Sequence, residues 1–245
     1  MDYFVNMNGI DVHAYYSEKA INEILIPLLE KLTAMQKEKN RRILVMLAAP
    51  PGAGKSTLAS FLQKLSEERE ELTDIQAIGM DGFHRRQEYL LSHTTVRDGQ
   101  EVRMVDIKGA PVTFDLDLFT EQIRRLFKEE KVFWPSYDRH LHNPVEDAIL
   151  VERKIVFLEG NYLLLEEDGW RNLKDMADYT VFITADEDVL RDRLVDRKFK
   201  SGKEREVAEK FVDYSDMANV RLCLSKSSKA DLTLYVDKIE MRIAK

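Results

Sequence analysis

A glycine-rich loop within residues 48–59, AAPPGAGKSTLA, holds the residues of this chain best suited to chemistry. Gly54, Lys55 and Ser56 match the last three positions of GxxxxGK[ST], the pattern of a phosphate-binding loop, and Ala49 stands at its first position. Amides that open a helix attract anions, because the helix dipole places partial positive charge there. The loop therefore predicts binding of a polyphosphate.

The neighbouring residues favour this interpretation over a glycine-rich turn without a ligand. The apolar run ILVML precedes the loop and a helical apolar stripe follows it, which is the strand and helix that the motif requires. Pro50 and Pro51 have no N–H, so the cradle must use later amides. These are the amides of Gly52, Ala53, Gly54, Lys55, Ser56 and Thr57. Lys55 would also reach the β- and γ-phosphates, and the Ser56 hydroxyl would ligate Mg²⁺.

Two carboxylates follow apolar runs that read as buried strands. Asp81 comes directly after IQAIGM, where a carboxylate beside the terminal phosphate could accept the proton of an attacking hydroxyl. Glu159 ends KIVFLEG, the position of the acidic residue that helps to hold Mg²⁺ in phosphate-loop enzymes. Each could instead be an ordinary turn residue before a glycine, Gly82 or Gly160.

Two arginines are spaced to share one face of a helix. Arg193 and Arg197 are four residues apart and precede the flexible stretch KSGKE, which predicts a movable lid over about residues 191–206. Both could reach phosphate oxygens. The alternative is a solvated helix face on which they alternate with Asp192 and Asp196.

Alternating apolar runs and amphipathic stretches predict an α/β fold with a parallel sheet and covering helices. The predicted strands are 43–49, 75–80, 154–160, 180–185 and 232–236. The predicted helices are 55–69, 116–130, 170–177, 187–199 and 204–226. In such sheets ligands bind beyond the carboxyl ends of the strands, which is where the residues above fall.

Residues 1–40 predict a small appendage ahead of a main domain at 41–245. Asn8-Gly9 lies between two alternating runs and is typical of the type I′ turn of a β-hairpin. Ser17 is a good N-cap for a following helix, and Pro27 should kink that helix because it lacks a backbone donor. The apolar face of this helix comprises Ile21, Ile24, Leu25, Leu28, Leu32 and Met35.

Composition narrows the classes of partner. The chain has 44 acidic and 37 basic residues, so we expect no nucleic-acid partner. No apolar window suits a membrane span and the start lacks the pattern of a signal peptide, so we expect a soluble, cytoplasmic protein without a membrane partner. The single Cys223 reads as a small core residue. Oligomeric state is not encoded in any recognisable feature, and a homodimer is left open.

Residues 42 to about 236 resemble the uridine kinase, phosphoribulokinase and pantothenate kinase superfamily of phosphate-loop kinases, including its bacterial nucleoside/nucleotide kinase members. The resemblance rests on six motifs in order: APPGAGKST, MDGFHRR, KGAPVTFD, WPSYDRHLHNP, LEGNYLLL and RLVDR. It implies a P-loop NTPase fold with five central parallel strands and helices on both faces. It also implies transfer of the γ-phosphoryl group of ATP, with Mg²⁺, to an alcohol of a small metabolite.

The resemblance also implies roles for individual residues. Asp81 falls on the general base of the family, Glu159 on its acidic residue near the metal, and Arg197 on its lid arginine, with Arg193 as a second candidate. Tyr137 and His142 match a PxYDxxxH element that lines the acceptor pocket of uridine kinases. KGAPVTFD is closer to pantothenate kinases and sugar-kinase-like members, so a nucleoside, a pantothenate-like alcohol and a sugar all stay open as acceptors.

The stretch from about 82 to 145 has the polar composition of an acceptor pocket. Its candidate substrate-binding residues are Asp81, His84, Arg85, Lys108, Tyr137, Arg139 and His142. Two other classes compete with a kinase: a nucleotide hydrolase or switch without an acceptor, and a non-catalytic nucleotide sensor. The guanine-reading element NKxD of GTP switches does not occur in the chain.

Overall fold

The computed structural model describes residues 1–7, 9–237 and 240–244. The strands are β1 (Asp2–Met7), β2 (Ile10–Tyr15), β3 (Ile43–Ala48), β4 (Ile75–Gly79), β5 (Thr94–Arg97), β6 (Gln100–Arg103), β7 (Val132–Asp138), β8 (Asn143–Val151), β9 (Ile155–Gly160), β10 (Tyr179–Thr184), β11 (Leu232–Val236) and β12 (Met241–Ile243). The α-helices are α1 (Glu18–Ala20), α2 (Ile26–Lys39), α3 (Lys55–Glu67), α4 (Gln87–Ser92), α5 (Leu116–Lys128), α6 (Glu187–Lys200), α7 (Arg205–Phe211) and α8 (Met217–Lys226). Helices and strands alternate over the main body, as an α/β fold requires.

A six-stranded sheet forms the centre, in the order β12-β11-β10-β3-β9-β4. The strands from β11 to β4 are parallel to their neighbours, and β12 runs antiparallel to β11. The five predicted parallel strands are therefore confirmed. The sixth strand was not predicted, because its three residues carry too short a pattern to recognise.

The central strand β3 is buried on both faces of the sheet, and its alternate side chains belong to two separate cores. Ile43, Val45 and Leu47 pack with apolar residues of α2, α3 and α6, whereas Leu44 and Met46 pack with α5 and the β7–β8 hairpin. This alternation follows from the two-residue period of a strand. Helices therefore cover both faces, as predicted, and the loops at the carboxyl end of the sheet are left to form a site.

The N-terminal segment forms the predicted hairpin and helix. Met7 pairs with Ile10 in the antiparallel β1–β2 hairpin, while Asn8, the first residue of the predicted type I′ turn, lies outside the described residues. Ser17 caps the helix, its Oγ accepting from the Ala20 amide at 3.1 Å. Pro27 follows a π-turn over Ile21–Leu25, a local widening that accommodates its missing donor.

Apolar side chains of this N-terminal segment, including Leu25 and Leu32, lie in the same buried cluster as β3 and α3. Tyr16 stacks on Phe61 of α3, with ring centroids 4.2 Å apart. A domain boundary near residue 40 stays a prediction. The packing itself places the segment directly on the helix that begins at the glycine-rich loop.

Several predicted helices are more irregular than their apolar pattern suggested. The predicted helix 170–177 is a pair of 3₁₀ turns, Trp170–Asn172 and Lys174–Met176, entered through Gly169 at a φ of 83°. The predicted helix 204–226 is interrupted by a π-turn over Val212–Asp216. An apolar pattern with a period of 3.6 residues does not distinguish a short 3₁₀ turn or a π-turn from a regular α-helix. All three kinds of helix bury similar faces over a few residues.

Two hairpins that were not predicted lie in and just beyond the region 82–145: β5–β6, and β7–β8, which ends at Val151. The first turns at Asp98-Gly99, both at positive φ (52° and 76°), a pair favoured in hairpin turns that could have revealed it. The second has a register shift between Trp134 and Ser136, which interrupts the alternating pattern that marks a strand. Within the part of the chain described, no helix is both long and apolar enough to cross a membrane.

Candidate active site

The glycine-rich loop joins β3 to α3 at the carboxyl end of the sheet. Gly54 caps α3 at a φ of 85°, and Gly52 has a φ of 83°, conformations in which residues with a Cβ are strained. A Cβ on Gly52 would lie 3.1 Å from the Leu190 carbonyl oxygen, whereas one on Gly54 would meet no atom within 4 Å. The start of α3 is thus open on its Gly54 side, where a phosphate can approach its amides.

Glu159 connects the loop to the neighbouring strand. It pairs with Leu47 of β3 in the sheet register, so its side chain lies beside the first turn of α3. Its Oε1 accepts from Ser56 Oγ at 2.7 Å, and its Oε2 lies 3.9 Å from Lys55 Nζ. The side chains of Lys55 and Glu159 are 14% and 13% exposed, so the contacts are largely shielded from water. The structure therefore brings together the three residues that the sequence nominated.

The Ser56 and Glu159 oxygens are hard donors of the kind that Mg²⁺ prefers. The described residues contain no cluster of three or more His, Cys, Asp or Glu side chains that could hold a metal by themselves. Mg²⁺ is usually bound by one or two carboxylates together with substrate phosphates, so a two-residue donor set fits it. A metal requiring a closed protein cage would not fit here.

The second carboxylate lies at the same edge of the sheet. Asp81 sits in a 3₁₀ turn, Met80–Phe83, directly after β4, which pairs with β9 on the side opposite β3. Burial raises the pKa of the Glu159 carboxyl; Asp81 raises it further, while Lys55 and Ser56 lower it. The negative charge of Asp81 is therefore felt at Glu159.

Positive groups surround Asp81. Burial by itself would raise the pKa of its carboxyl, but His84, Lys55, Arg139 and Arg197 outweigh burial and the pKa is lowered. The described residues provide no hydrogen bond to the Asp81 carboxylate, although its backbone oxygen lies 2.9 Å from the His84 Nδ1. An ionised carboxylate without a donor is free to accept a proton, the chemistry required of a general base.

The β7–β8 hairpin is held against Asp81 by a close backbone approach. A Cβ on Gly82 would overlap the carbonyl of Pro135, so no larger residue fits there. The Trp134 indole N–H donates to the Gly79 carbonyl at 2.9 Å. These two contacts fix the strand that carries Tyr137 beside the turn that carries Asp81.

His84 and Lys108 both contact Tyr137, on the side of the β7–β8 hairpin that faces the turn carrying Asp81. The His84 ring lies 3.9 Å from Phe114 and 5.1 Å from Tyr137 between centroids, and burial is the main cause of its lowered pKa. Lys108 Nζ donates to Gln87 Oε1 at 2.6 Å and to the His142 carbonyl at 3.0 Å. The same ammonium lies 5.1 Å from the centroid of Tyr137. These side chains form one connected set of hydrogen bonds and ring contacts.

The remaining predicted acceptor residues differ in their contacts. Arg85 Nη1 lies 3.4 Å from Asp115 Oδ2, and its guanidinium lies 4.7 Å from the Tyr89 ring centroid. Tyr137 is half-buried, and burial raises the pKa of its phenol to about 12. His142, at a φ of 53°, is exposed and contributes its carbonyl rather than its ring to Lys108.

The two lid arginines do not face the same partner. Arg197 is among the positive groups that lower the pKa of Asp81. The Arg193 guanidinium instead donates to the Asp237 carbonyl at 2.8 Å, beyond the carboxyl end of β11. Both arginines lie on α6, one turn apart, yet they interact with different groups. The role of both in closing over a nucleotide stays a prediction.

Three residues at this site were not singled out from the sequence. Gln87 holds Lys108, and Asp216 lies 3.7 Å from Lys198 and is close to the charge of Arg197. Asn161 follows Gly160, and its Oδ1 is buried without a hydrogen-bond partner in the described chain. Its position two residues after Glu159 was a signal available in the motif LEGNYLLL.

Comparison with known proteins agrees with this geometry. A model of the "Phosphoribulokinase / Uridine kinase family" matches residues 44–237. The Escherichia coli (strain K12) "Uncharacterized protein YggC" is 40% identical over 229 residues, covering 93% of this chain and 92% of that protein. The Schizosaccharomyces pombe "Putative uridine kinase C227.14" is 35% identical, covering 79% and 83%.

Among solved structures, a "putative fructose transport system kinase" from Silicibacter sp. TM1040 superposes with a TM-score of 0.71 at 30% identity. The match covers 82% of this chain and 98% of that one. The sheet, the phosphate loop and these similarities lead to one conclusion: the chain belongs to the phosphoribulokinase / uridine kinase family of P-loop kinases.

Proposed function

We propose that this protein transfers the γ-phosphoryl group of ATP to a hydroxyl group of a small metabolite. The observation that carries the proposal is that the Asp81 carboxylate receives no hydrogen bond within the described chain, while positive neighbours lower its pKa. It lies at the sheet edge shared with Lys55, Ser56 and Glu159. A sensor that does no chemistry has no need for such a base, whereas a hydrolase would use it to activate water, so acceptor dependence is what separates a kinase from a hydrolase.

Each group has a distinct task in the proposed reaction. The amides of residues 52–57 hold the phosphates, and the charges of Lys55 and Arg197 stabilise the phosphoryl group in transfer. Mg²⁺ held by Ser56 and Glu159 supplies neutralisation of phosphate charge when bound. The acceptor oxygen attacks the γ-phosphorus, its proton passes to Asp81, and the bond to the β-phosphate oxygen breaks to release ADP.

The side chains near Asp81 favour a small polar substrate. His84 contacts Tyr137, Tyr137 contacts Lys108, and the β7–β8 hairpin packs against the turn that carries Asp81. The relatives do not agree on an acceptor, since one is named for uridine and another for fructose transport. A nucleoside, a sugar and a pantothenate-like alcohol are therefore all candidate acceptors.

The experiment is ADP release from Mg·ATP by the purified chain, with and without a metabolite extract, together with mass spectrometry of the products. We expect slow basal release and a large acceptor-dependent rise, because closure of the pocket keeps water from the γ-phosphate. A compound in the extract should gain one phosphoryl group. ADP release that no extract stimulates, with no phosphorylated product, would instead support the hydrolase or switch.

A further inference from the structure

We propose that the phosphoryl acceptor carries a carboxylate or a phosphate monoester in addition to its reacting hydroxyl, and that Lys108 binds this anionic group. The inference rests on the proposed function, because it concerns the acceptor side of the same site. It selects among the acceptor classes above, since nucleosides and free sugars are neutral.

Lys108 has unused binding capacity for an anion. An ammonium has three N–H donors, and the neighbours of this one are two neutral oxygens, Gln87 Oε1 at 2.6 Å and the His142 carbonyl at 3.0 Å. The side chain is half-buried, and no carboxylate of the described residues lies within 4 Å of it. A partly desolvated charge without a counter-charge gains stability from an incoming anion.

Other basic side chains of the same region already have acidic partners. Arg85 pairs with Asp115 at 3.4 Å, Arg86 with Glu146 at 2.5 Å and Arg103 with Asp106 at 2.8 Å.

Lys108 differs from these three, and so does Arg139, which forms no ion pair with any residue that the structure describes. Both charges help to lower the pKa of His84, so both groups lie near its ring. Arg139 faces the negative charges of Asp81 and Glu159, so of these two groups it is Lys108 whose charge has no acidic neighbour among the described residues.

The contacts of Lys108 lie apart from the proposed nucleotide site. Its contacts are Gln87 of α4, the His142 carbonyl and the ring of Tyr137, and none belongs to the glycine-rich loop or the predicted lid. The ammonium contacts Tyr137, the Tyr137 ring contacts His84, and His84 contacts the Asp81 backbone, so a chain of contacts links Lys108 to the turn that carries Asp81. An acceptor of several carbon atoms could thus place its hydroxyl at Asp81 and its anionic end at Lys108.

The first test separates a metabolite extract by anion exchange at pH 7 and assays the retained and unretained fractions for a compound that gains a phosphoryl group from ATP. We expect the acceptor in the retained fraction. Phosphatase treatment of that fraction distinguishes the two anions, because a phosphate monoester loses its acceptor activity and a carboxylate keeps it. An acceptor in the unretained fraction would overturn the inference while leaving the kinase intact; no product from either fraction would contradict the proposed function itself.

The second test uses the acceptor purified from the retained fraction. Lys108→Met should raise its KM by about 10- to 100-fold, the range for loss of a charged hydrogen bond, while the KM for ATP stays within about 2-fold. Lys108→Arg, which keeps the charge, should restore at least part of the affinity. Lys131→Met, at an exposed lysine paired with Glu152, is the matched control and should behave as wild type.

Thermal unfolding of each variant checks that it is folded. An unchanged KM in Lys108→Met would show that this ammonium does not bind the acceptor. Equal defects in Lys108→Arg and Lys108→Met would assign the effect to shape and would also overturn the inference. If Lys108→Met does not fold, the comparison of Lys108→Arg with wild type and the anion-exchange result decide the question.

Discussion

The two ends of the central sheet both carry buried charge, but they treat it in opposite ways. At the amino end, Asp178 accepts from Arg41 at 2.6 and 2.9 Å, from Lys39 at 2.7 Å and from the Leu44 amide at 2.9 Å. At the carboxyl end, the Asp81 carboxylate receives no hydrogen bond within the described chain. A carboxylate whose oxygens already accept several hydrogen bonds supports the fold, whereas a carboxylate without hydrogen-bond donors is available to a substrate.

Arg42, at the same amino end of the sheet, also makes several hydrogen bonds. Its guanidinium donates to the carbonyls of Leu126, Glu129, Glu130 and Arg153, which closes the carboxyl end of α5 against the entrances of β3 and β9. Glu159, at the carboxyl end, has a single neutral donor, Ser56, and an ammonium at 3.9 Å. This difference in hydrogen bonding predicts that mutations at the amino end of the sheet mainly change stability. Mutations at its carboxyl end should mainly change activity.

The largest expected effect is that of Asp81→Asn. Loss of the proposed general base should lower kcat by about 10²- to 10⁴-fold, while the affinity for Mg·ATP stays within a few-fold. Acceptor-dependent ADP release and calorimetric titration with Mg·ATP measure the two quantities. Transfer that survives in Asp81→Asn would show that another group takes the proton. Asp178→Asn, assayed below its melting temperature, should keep its kcat and so marks the contrast between the two ends.

Lys55→Ala should follow, with kcat/KM lower by about 10²- to 10³-fold, because a charge contact to the transferring phosphoryl group is lost. The substitution also leaves Glu159 without its closest positive neighbour, 3.9 Å away. Steady-state kinetics with the purified acceptor measure the effect. Lys64→Ala, an exposed lysine two and a half turns later on α3, is the control. Near-normal rates in Lys55→Ala would contradict the assignment of the loop.

Asp178→Asn should lower the free energy of unfolding by about 2–3 kcal/mol, since charged hydrogen bonds to a 5%-exposed side chain are weakened. Burial alone would raise the pKa of Asp178, but Arg41, Lys39 and the Leu44 amide lower it below its usual 3.8. Its stabilising contribution is therefore present above the unfolded pKa and lost as the pH falls through the folded one. Urea unfolding at pH 7 and pH 3 measures this. Asp175→Asn, an exposed neighbour, should change little, and an equal loss in both variants would refute the comparison.

The carboxyl end could be predicted from the sequence because parallel strands bring their ends to one edge. Ser56, Asp81 and Glu159 each follow a recognisable apolar run, so their convergence follows from the order of the strands alone. β3 and β9 are buried along almost their whole length, and continuous apolar composition marks such strands clearly, whereas the edge strand β4 is only partly buried.

The acceptor region could not be predicted in the same way. Lys108 and Gln87 are 21 residues apart, and their contact depends on how α4, a 3₁₀ turn and the β7–β8 hairpin pack against one another. Arg193 shows the same limit, because its place on a helix could be predicted but its partner, the Asp237 carbonyl, follows the strand β11. Local patterns predict elements, whereas pairing between loops depends on tertiary packing.

Glu159→Gln tests the same comparison between the two ends of the sheet and has the smallest expected effect on stability. Its effect on the free energy of unfolding should have the opposite sign to that of Asp178→Asn. Burial, together with the charge of Asp81, raises the pKa of Glu159, so its ionised form costs stability in the metal-free protein. A raised folded pKa contributes stability below the unfolded pKa that is lost as the pH rises through the folded one. Glutamine keeps the shape without the charge, so we expect a gain of about 1 kcal/mol at pH 7.5, or about 2–4 °C in Tm.

The gain should shrink as the pH falls, because wild-type Glu159 then takes up its proton, and Glu166→Gln at an exposed position should show neither effect. Differential scanning calorimetry with a chelator present measures both. The same substitution should lower the transfer rate, since the donor set for Mg²⁺ loses its carboxylate. A Glu159→Gln variant that melts below wild type at pH 7.5 would show that the Ser56 and Lys55 contacts outweigh burial, and that the carboxyl end of the sheet is stabilised as the amino end is.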